Sequence, residues 1–205
     1  MIETLKAQNG SEVIRFEGRL LSSAVDPLSE ARDWVQRRKL MLNRVKSVFV
    51  LGAGSGYHVS ELFIHTDAQL VVIDSSQELI EAVQSIQRFQ SPRVKFVCVQ
   101  KPAALRADTA VREAVGESFL VLQHAPSVMA SSDFFAECKS LLLGREWGSL
   151  NWQWKLKGFA SLDEQPKIHA GEKALTIYDL EQTELVQDSV ERERMLIKAL
   201  RELVK

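Results

Sequence analysis

An α/β fold built on a mostly parallel sheet is what this chain predicts. Three observations carry it: apolar runs of strand length alternate with helix-period segments, three glycines follow the first strong run, and a carboxylate ends the second. The runs are Ser47–Leu51, Leu70–Asp74, Val94–Val99 and Phe119–Leu122, each followed by a segment that reads as helix, which makes four βα steps. At 205 residues and 45% hydrophobic content the chain can bury a full core. A net charge of −1 and an isoelectric point near 6.4 argue against a surface that coats nucleic acid. Met1–Asn9 lacks the apolar core of a signal peptide and no run approaches the length of a membrane span, so the expected location is cytoplasmic. Cys98 and Cys138, the only cysteines, read as buried thiols of a reducing compartment.

Taken in order, Glu12–Leu21 reads as an irregular strand or a hairpin. Asp26-Pro27 has the form of an N-cap with proline at the first helical position. It opens a helix expected to reach about Asn43, with Leu28, Ala31, Val35 and Leu42 on one face and Arg37, Arg38 and Lys39 on the wet side. Helices are expected over Tyr57–His65 and over Gln77–Arg88, where Leu79, Ile80, Val83 and Ile86 face inward and Ser91-Pro92 stops the chain. Pro102–Val115 reads as the next helix, and Ser131 and Ser132 can cap another that ends near Gly144. Beyond it, Leu150, Trp152, Trp154 and Leu156 alternate with Asn151, Gln153, Lys155 and Lys157, the period of a strand with one buried face. Lys173–Leu180 and Glu184–Asp188 read as an antiparallel pair. From Ser189 onward Leu196, Ile197, Leu200, Leu203 and Val204 stripe a last helix, which either closes the domain or pairs with a second chain or protein partner. Residues 1–26 are thus an expected N-terminal extension, 27–145 a ligand-binding core, and 146–205 a strand pair and helix completing the same domain.

The first strong strand runs into Gly52-Ala53-Gly54-Ser55-Gly56-Tyr57-His58, the way a Rossmann-like sheet begins a ligand site. Glycines let the chain turn sharply and bring bare backbone N–H groups, at the positive end of the next helix, near a small molecule. A dinucleotide fingerprint wants its third glycine where Tyr57 stands, and a phosphate-cradling loop would end in Gly-Lys-Ser or Gly-Lys-Thr; neither pattern is present. Asp74 lies 22 residues after Gly52, close to the roughly 20-residue offset at which an acid takes the ribose hydroxyls of a nucleotide-type ligand. Its alternative role is to cap the helix after Ser75 and Ser76.

His124, in the loop Gln123-His124-Ala125-Pro126-Ser127 after the fourth strand, is the best single candidate for catalysis. With an unperturbed pKa of about 6.5 it can donate a hydrogen bond or act as general base, although a lone histidine before proline commonly just satisfies loop backbone. His58 can touch a ligand's charged end or pack at the helix start. His65 and His169 show no acidic or cysteine partners at ligand spacing, so no metal site is expected.

The glycine loop resembles the first motif of class I S-adenosylmethionine-dependent methyltransferases, which implies S-adenosylmethionine as cofactor. Leu21-Ser22-Ser23-Ala24-Val25-Asp26-Pro27-Leu28-Ser29-Glu30-Ala31 followed by Val50–His58 also resembles the N-terminal Rossmann-like region of the motility accessory factors, a superfamily that includes archaeal hydroxymethylpterin pyrophosphokinases. His124-Ala125-Pro126-Ser127 is similar to their fourth-strand loop. That family is linked to flagellin glycosylation through a following domain, so the resemblance implies a ligand-binding or accessory module and no glycosyltransferase. The methyltransferase pattern is incomplete as well: Val50 stands where an acid is usual, Gln100 and Lys101 stand where an acid near the adenine is usual, and no Asn-Pro-Pro-Tyr follows strand four. Two functions follow: a Rossmann-like domain holding S-adenosylmethionine or a nucleotide-type ligand, with methyl transfer as its chemistry, or a non-catalytic binding or scaffolding module.

Overall fold

The computed structural model describes residues 2–89 and 91–158. The chain divides into two compact units, Met1–Cys138 and Lys139–Lys205. In the first, strands β1 (Ile2–Lys6), β2 (Glu12–Phe16) and β3 (Arg19–Leu20) form an antiparallel sheet in sequence order, with Ile2 opposite Phe16 and Phe16 opposite Arg19. The two-residue turn Glu17-Gly18 has φ of 49° and 79°, the doubly left-handed conformation that matches strand twist in tight hairpins. The hairpin reading of Glu12–Leu21 holds; β1 is an additional strand that the polar Met1–Asn9 segment did not signal.

The second sheet is parallel, in the order β6-β5-β4-β7, from β4 (Ser47–Leu51), β5 (Gln69–Asp74), β6 (Val94–Cys98) and β7 (Phe119–Gln123). Pairing Leu51 with both Ile73 and Gln123 aligns the three carboxyl ends, so the glycine loop, Asp74 and His124 emerge at one edge. Strand alternation assigns the two faces. Val48, Val50, Leu70, Val72, Leu120 and Leu122 join one core cluster with Val59 and Leu62 of α3 (Tyr57–His65) and Leu79 and Val83 of α4 (Gln77–Gln87). Each such side chain, fully withdrawn from water, contributes about 1.5–3 kcal/mol. Ile14 and Leu21 of the N-terminal segment sit in that same cluster. α5 (Thr109–Gly116) packs against β4 and β5, and Phe49 meets Phe119 edge-on.

Two expected helices are broken, each for a local reason. α1 (Pro27–Gln36), capped by Asp26, stops short of Asn43 and is followed by the single turn α2 (Lys39–Leu42). The Arg38 guanidinium bonds the Trp34 carbonyl and stacks 4.2 Å over its ring; the Arg38 backbone N–H turns to the Val35 carbonyl at 2.8 Å, which tightens the helix out of register. Pro102–Val115 divides into a 3-10 turn, Pro102–Ala107, and α5, because Asp108 is extended and caps α5 through the Val111 N–H. The segment after β7 is helical where a loop was expected: α6 spans Ala125–Ala130, with His124 at its cap position. α7 (Ser132–Leu142) follows and crosses the boundary between the units.

In the second unit, the alternation of Leu150, Trp152, Trp154 and Leu156 is not a strand. These residues belong to α8 (Trp147–Leu156), whose inward positions are Ser149 and Gln153, four residues apart, while both tryptophans are half-buried. Gln153 donates from Nε2 to the Leu141 and Leu142 carbonyls at 2.9 and 2.8 Å, satisfying the end of the preceding helix. The expected strands Lys173–Leu180 and Glu184–Asp188 and the helix from Ser189 lie outside the described residues.

Candidate functional site

At the carboxyl edge of the parallel sheet, β4 ends and the chain turns through Gly52 (φ 100°) and Gly54 (φ 57°) before Gly56 opens α3 in a left-handed cap. Only glycine adopts these angles without strain. Gly52, Ala53, Gly54, Ser55, Gly56, Tyr57 and His58 are all buried. A Cβ at Gly52 would meet the Ser127 side chain under 3 Å, one at Gly54 would stand 2.6 Å from the His124 ring and 2.9 Å from the His58 ring, and one at Gly56 would stand 2.6 Å from Gln87. Close approach is real at every glycine, and what approaches is the protein itself.

His58 and His124 are brought together. Their rings stack with centroids 4.0 Å apart and planes 5° apart, Trp34 meets His58 edge-on at 5.5 Å, and the two histidines are 3% and 6% exposed. His58 Nε2 lies 3.1 Å from the Gly52 carbonyl and donates to it, which leaves Nδ1 unprotonated in the neutral ring. His124 Nδ1 pairs with the Ser127 hydroxyl at 2.8 Å. Burial lowers the His58 pKa to about 4, with the Gly52 bond opposing in part. Burial also holds His124 well below 6.5, and the neighbouring His58 adds to the effect. Both rings are therefore neutral at pH 7.

Asp74 faces the loop too. Its Oδ2 accepts from the Ala53 N–H at 2.9 Å, while Oδ1 accepts from the Ser75 and Ser76 N–H groups at 2.8 and 3.2 Å; Ser76 itself caps α4. Burial raises the Asp74 pKa more than these three bonds lower it. The carboxylate thus ties β5 to the glycine loop and bends the chain toward α4, whose cap is Ser76. Beside it the cavity lined by Phe16, Leu21, Leu79, Ser127 and Phe135 measures about 10 Å³, room for a single water.

Ser55 and Tyr57 of the motif meet three residues that no motif flagged, Ile14, Glu12 and Gln87, and together these complete the closure. Ser55 Oγ accepts from the Ile14 N–H at 2.9 Å, Tyr57 donates its hydroxyl to the Glu12 carbonyl at 2.7 Å, and Gln87 donates to the Ser55 carbonyl at 3.1 Å. The N-terminal hairpin therefore lies directly on the glycine loop. Elsewhere, His65 does have an acidic neighbour, Glu61 at 3.4 Å, one turn earlier on α3, and Glu61 also faces Arg32 at 3.5 Å. Cys138 is buried with its thiol pushed up to about 12, chiefly by burial; Cys98 is half-buried, and both are free.

Solved structures share this frame. Spermidine synthase from Thermotoga maritima superposes with a TM-score of 0.50 at 13% identity, covering 77% of this chain and 59% of the synthase. A spermidine synthase in complex with the transition-state analogue AdoDATO gives 0.50 at 12% identity, covering 77% and 60%. The fold is the one these synthases share. The chain spans about three fifths of the length of these synthases. No protein-family profile matches it, and no curated protein matches its sequence.

The resemblance of the glycine loop to the first methyltransferase motif implies S-adenosylmethionine, and the residues at the loop do not fit it in this arrangement. A nucleoside needs a crevice of several hundred Å³ and a carboxylate with oxygens turned outward. Here the glycine faces are covered by imidazole and hydroxyl groups and Asp74 already holds three backbone donors.

Proposed function

We propose that this chain is a non-catalytic Rossmann-like module of methyltransferase type, whose cofactor crevice has been filled by its own side chains and which serves as a binding or scaffolding domain. The observation that supports this reading is the packing on the glycines: Ser127, His124, His58 and Gln87 stand where a side chain on Gly52, Gly54 or Gly56 would begin. Neutral, buried imidazoles with their hydrogen bonds spent on Gly52 and Ser127 are poorly placed to move protons for an acceptor substrate. The resemblance of Leu21–Ala31 and Val50–His58 to the N-terminal region of motility accessory factors agrees with an accessory role, with a protein or a second copy of the chain as partner.

Binding of S-adenosylmethionine or a nucleotide-type ligand is the second reading, favoured by Asp74 and the glycine loop meeting at adjacent strand ends within a methyltransferase-like fold. It requires His124 and Ser127 to leave the loop. A thermal-shift panel of S-adenosylmethionine, S-adenosylhomocysteine and adenine, cytidine and guanine nucleotides at pH 7.5 separates the two. A site-specific ligand at 100 times its dissociation constant adds about 2.7 kcal/mol. We expect no shift; saturable stabilisation that Gly54→Asp abolishes would establish the second reading instead.

A further inference from the structure

The stacked imidazoles His58 and His124 rest on Gly54, one from α3 and one from the cap of α6. Two neutral rings stack favourably, whereas one charged ring in this buried site lacks water, and two would repel at 4.0 Å. Among the described residues, counter-charge is not offered from the surrounding elements. α1 presents Trp34, with the Arg38 guanidinium over its ring; α3 carries Glu61, committed to Arg32 and His65; β5 carries Asp74, bonded to the Ala53, Ser75 and Ser76 N–H groups; α4 offers neutral Gln87, and α6 the Ser127 hydroxyl.

We infer that the His58–His124 stack is a proton-operated latch on the glycine loop: it holds the loop shut while both rings are neutral and releases it when they are protonated. A proton on His58 Nδ1 makes the ring a cation against its neighbour. A proton on His124 does the same, and relief comes only by moving a ring toward water, which uncovers Gly52 and Gly54. Burial holds both rings deprotonated at neutral pH, so the latch works on the acid side. Release of the His124 ring would displace α6, which is six residues long, has His124 at its cap position and has Met129 exposed. The inference rests on the crevice being closed at neutral pH, which the ligand panel tests separately.

The test is hydrogen exchange on the ligand-free full chain. Protection of the Ala53–Gly56 amides, corrected for intrinsic rates, is compared at pH 7 and 4.5 beside far-UV circular dichroism. Protection should fall at least tenfold at these amides while the β5 amides keep theirs and the dichroism is unchanged. Flat protection, or loss shared with β5, overturns the latch. A doubly substituted His58→Gln, His124→Phe chain, which cannot titrate there, should show equal protection at both pH values, and a persisting acid response overturns it too. Should that variant fail to fold, histidine ¹⁵N shifts of the wild type decide: the midpoint of ring protonation must coincide with loop release.

Discussion

The glycines show how one residue type can carry two opposite meanings. A loop that must bend at Gly54 and one that must admit a ligand both demand a missing side chain, yet here the demand is set by His124 and His58. Gly54→Ala therefore combines a left-handed φ with a Cβ driven to 2.6 Å from a ring in a packed core, and should cost about 2–4 kcal/mol. Gly10→Ala, at φ 84° with nothing within 4 Å, carries only the backbone penalty of about 1 kcal/mol. Urea denaturation of both variants checks the difference; equal losses would mean that the rings yield freely.

The buried histidines also set a pH dependence. Because their folded pKa values lie below the unfolded 6.5, the unfolded chain binds more protons under mildly acidic conditions. Their contribution is intact above about pH 6.5 and drains away as pH falls toward about 4, worth about 3 kcal/mol for His58. Asp74 works in the opposite sense, since its raised folded pKa favours the native state as acid protonates it. Denaturation midpoints measured from pH 7.5 to 4.5 should fall in the wild type and fall less in His124→Phe. The glycine and Asp74 positions were legible because they belong to a local motif with fixed offsets. Their partner His124 lies 70 residues from Gly54, and no spacing rule connects the two.

Elements were legible in proportion to how far their pattern depends on neighbours in sequence. β4 and α3 begin and end where strand and helix periodicity put them. The break after α1 depends on one guanidinium competing for a carbonyl, and the α8 error came from reading large apolar residues as inward when small and polar ones are. Gln153 is fully buried, and its amide holds both terminal carbonyls of α7. Gln153→Ala removes those donors and opens a void, so about 2–3 kcal/mol of stability should be lost. Trp154→Ala, at a half-buried position, should cost less. Paired circular-dichroism melts test the order, and a larger loss for Trp154 would restore the alternating face as the packing surface.

At the scale of the molecule, the segment expected to be an extension is built into the first unit. Ile14 and Leu21 are fully buried in the cluster that holds Val48, Val72 and Leu122, and the Ile14 N–H and Glu12 carbonyl are bonded to Ser55 and Tyr57 of the glycine loop. Sequence could not show this, because Val13 and Ile14 are buried side by side and not in alternation, and the partners of β2 lie some 40 residues on. Removing residues 1–21 would strip two fully buried aliphatic side chains from the core and leave the loop hydroxyls of Ser55 and Tyr57 without their backbone partners. Each such side chain is worth about 2–5 kcal/mol when lost from a packed site, and the sum rivals the 5–15 kcal/mol total of an ordinary domain. The truncated chain should therefore lose its cooperative urea transition. Tyr57→Phe, which deletes one hydrogen bond and no packing, should keep that transition and shift it by about 1 kcal/mol. A truncated chain that still unfolds cooperatively near the wild-type midpoint would show that the hairpin covers the glycine loop without sustaining the fold, and the crevice beneath it would then be a cleft with a removable cover.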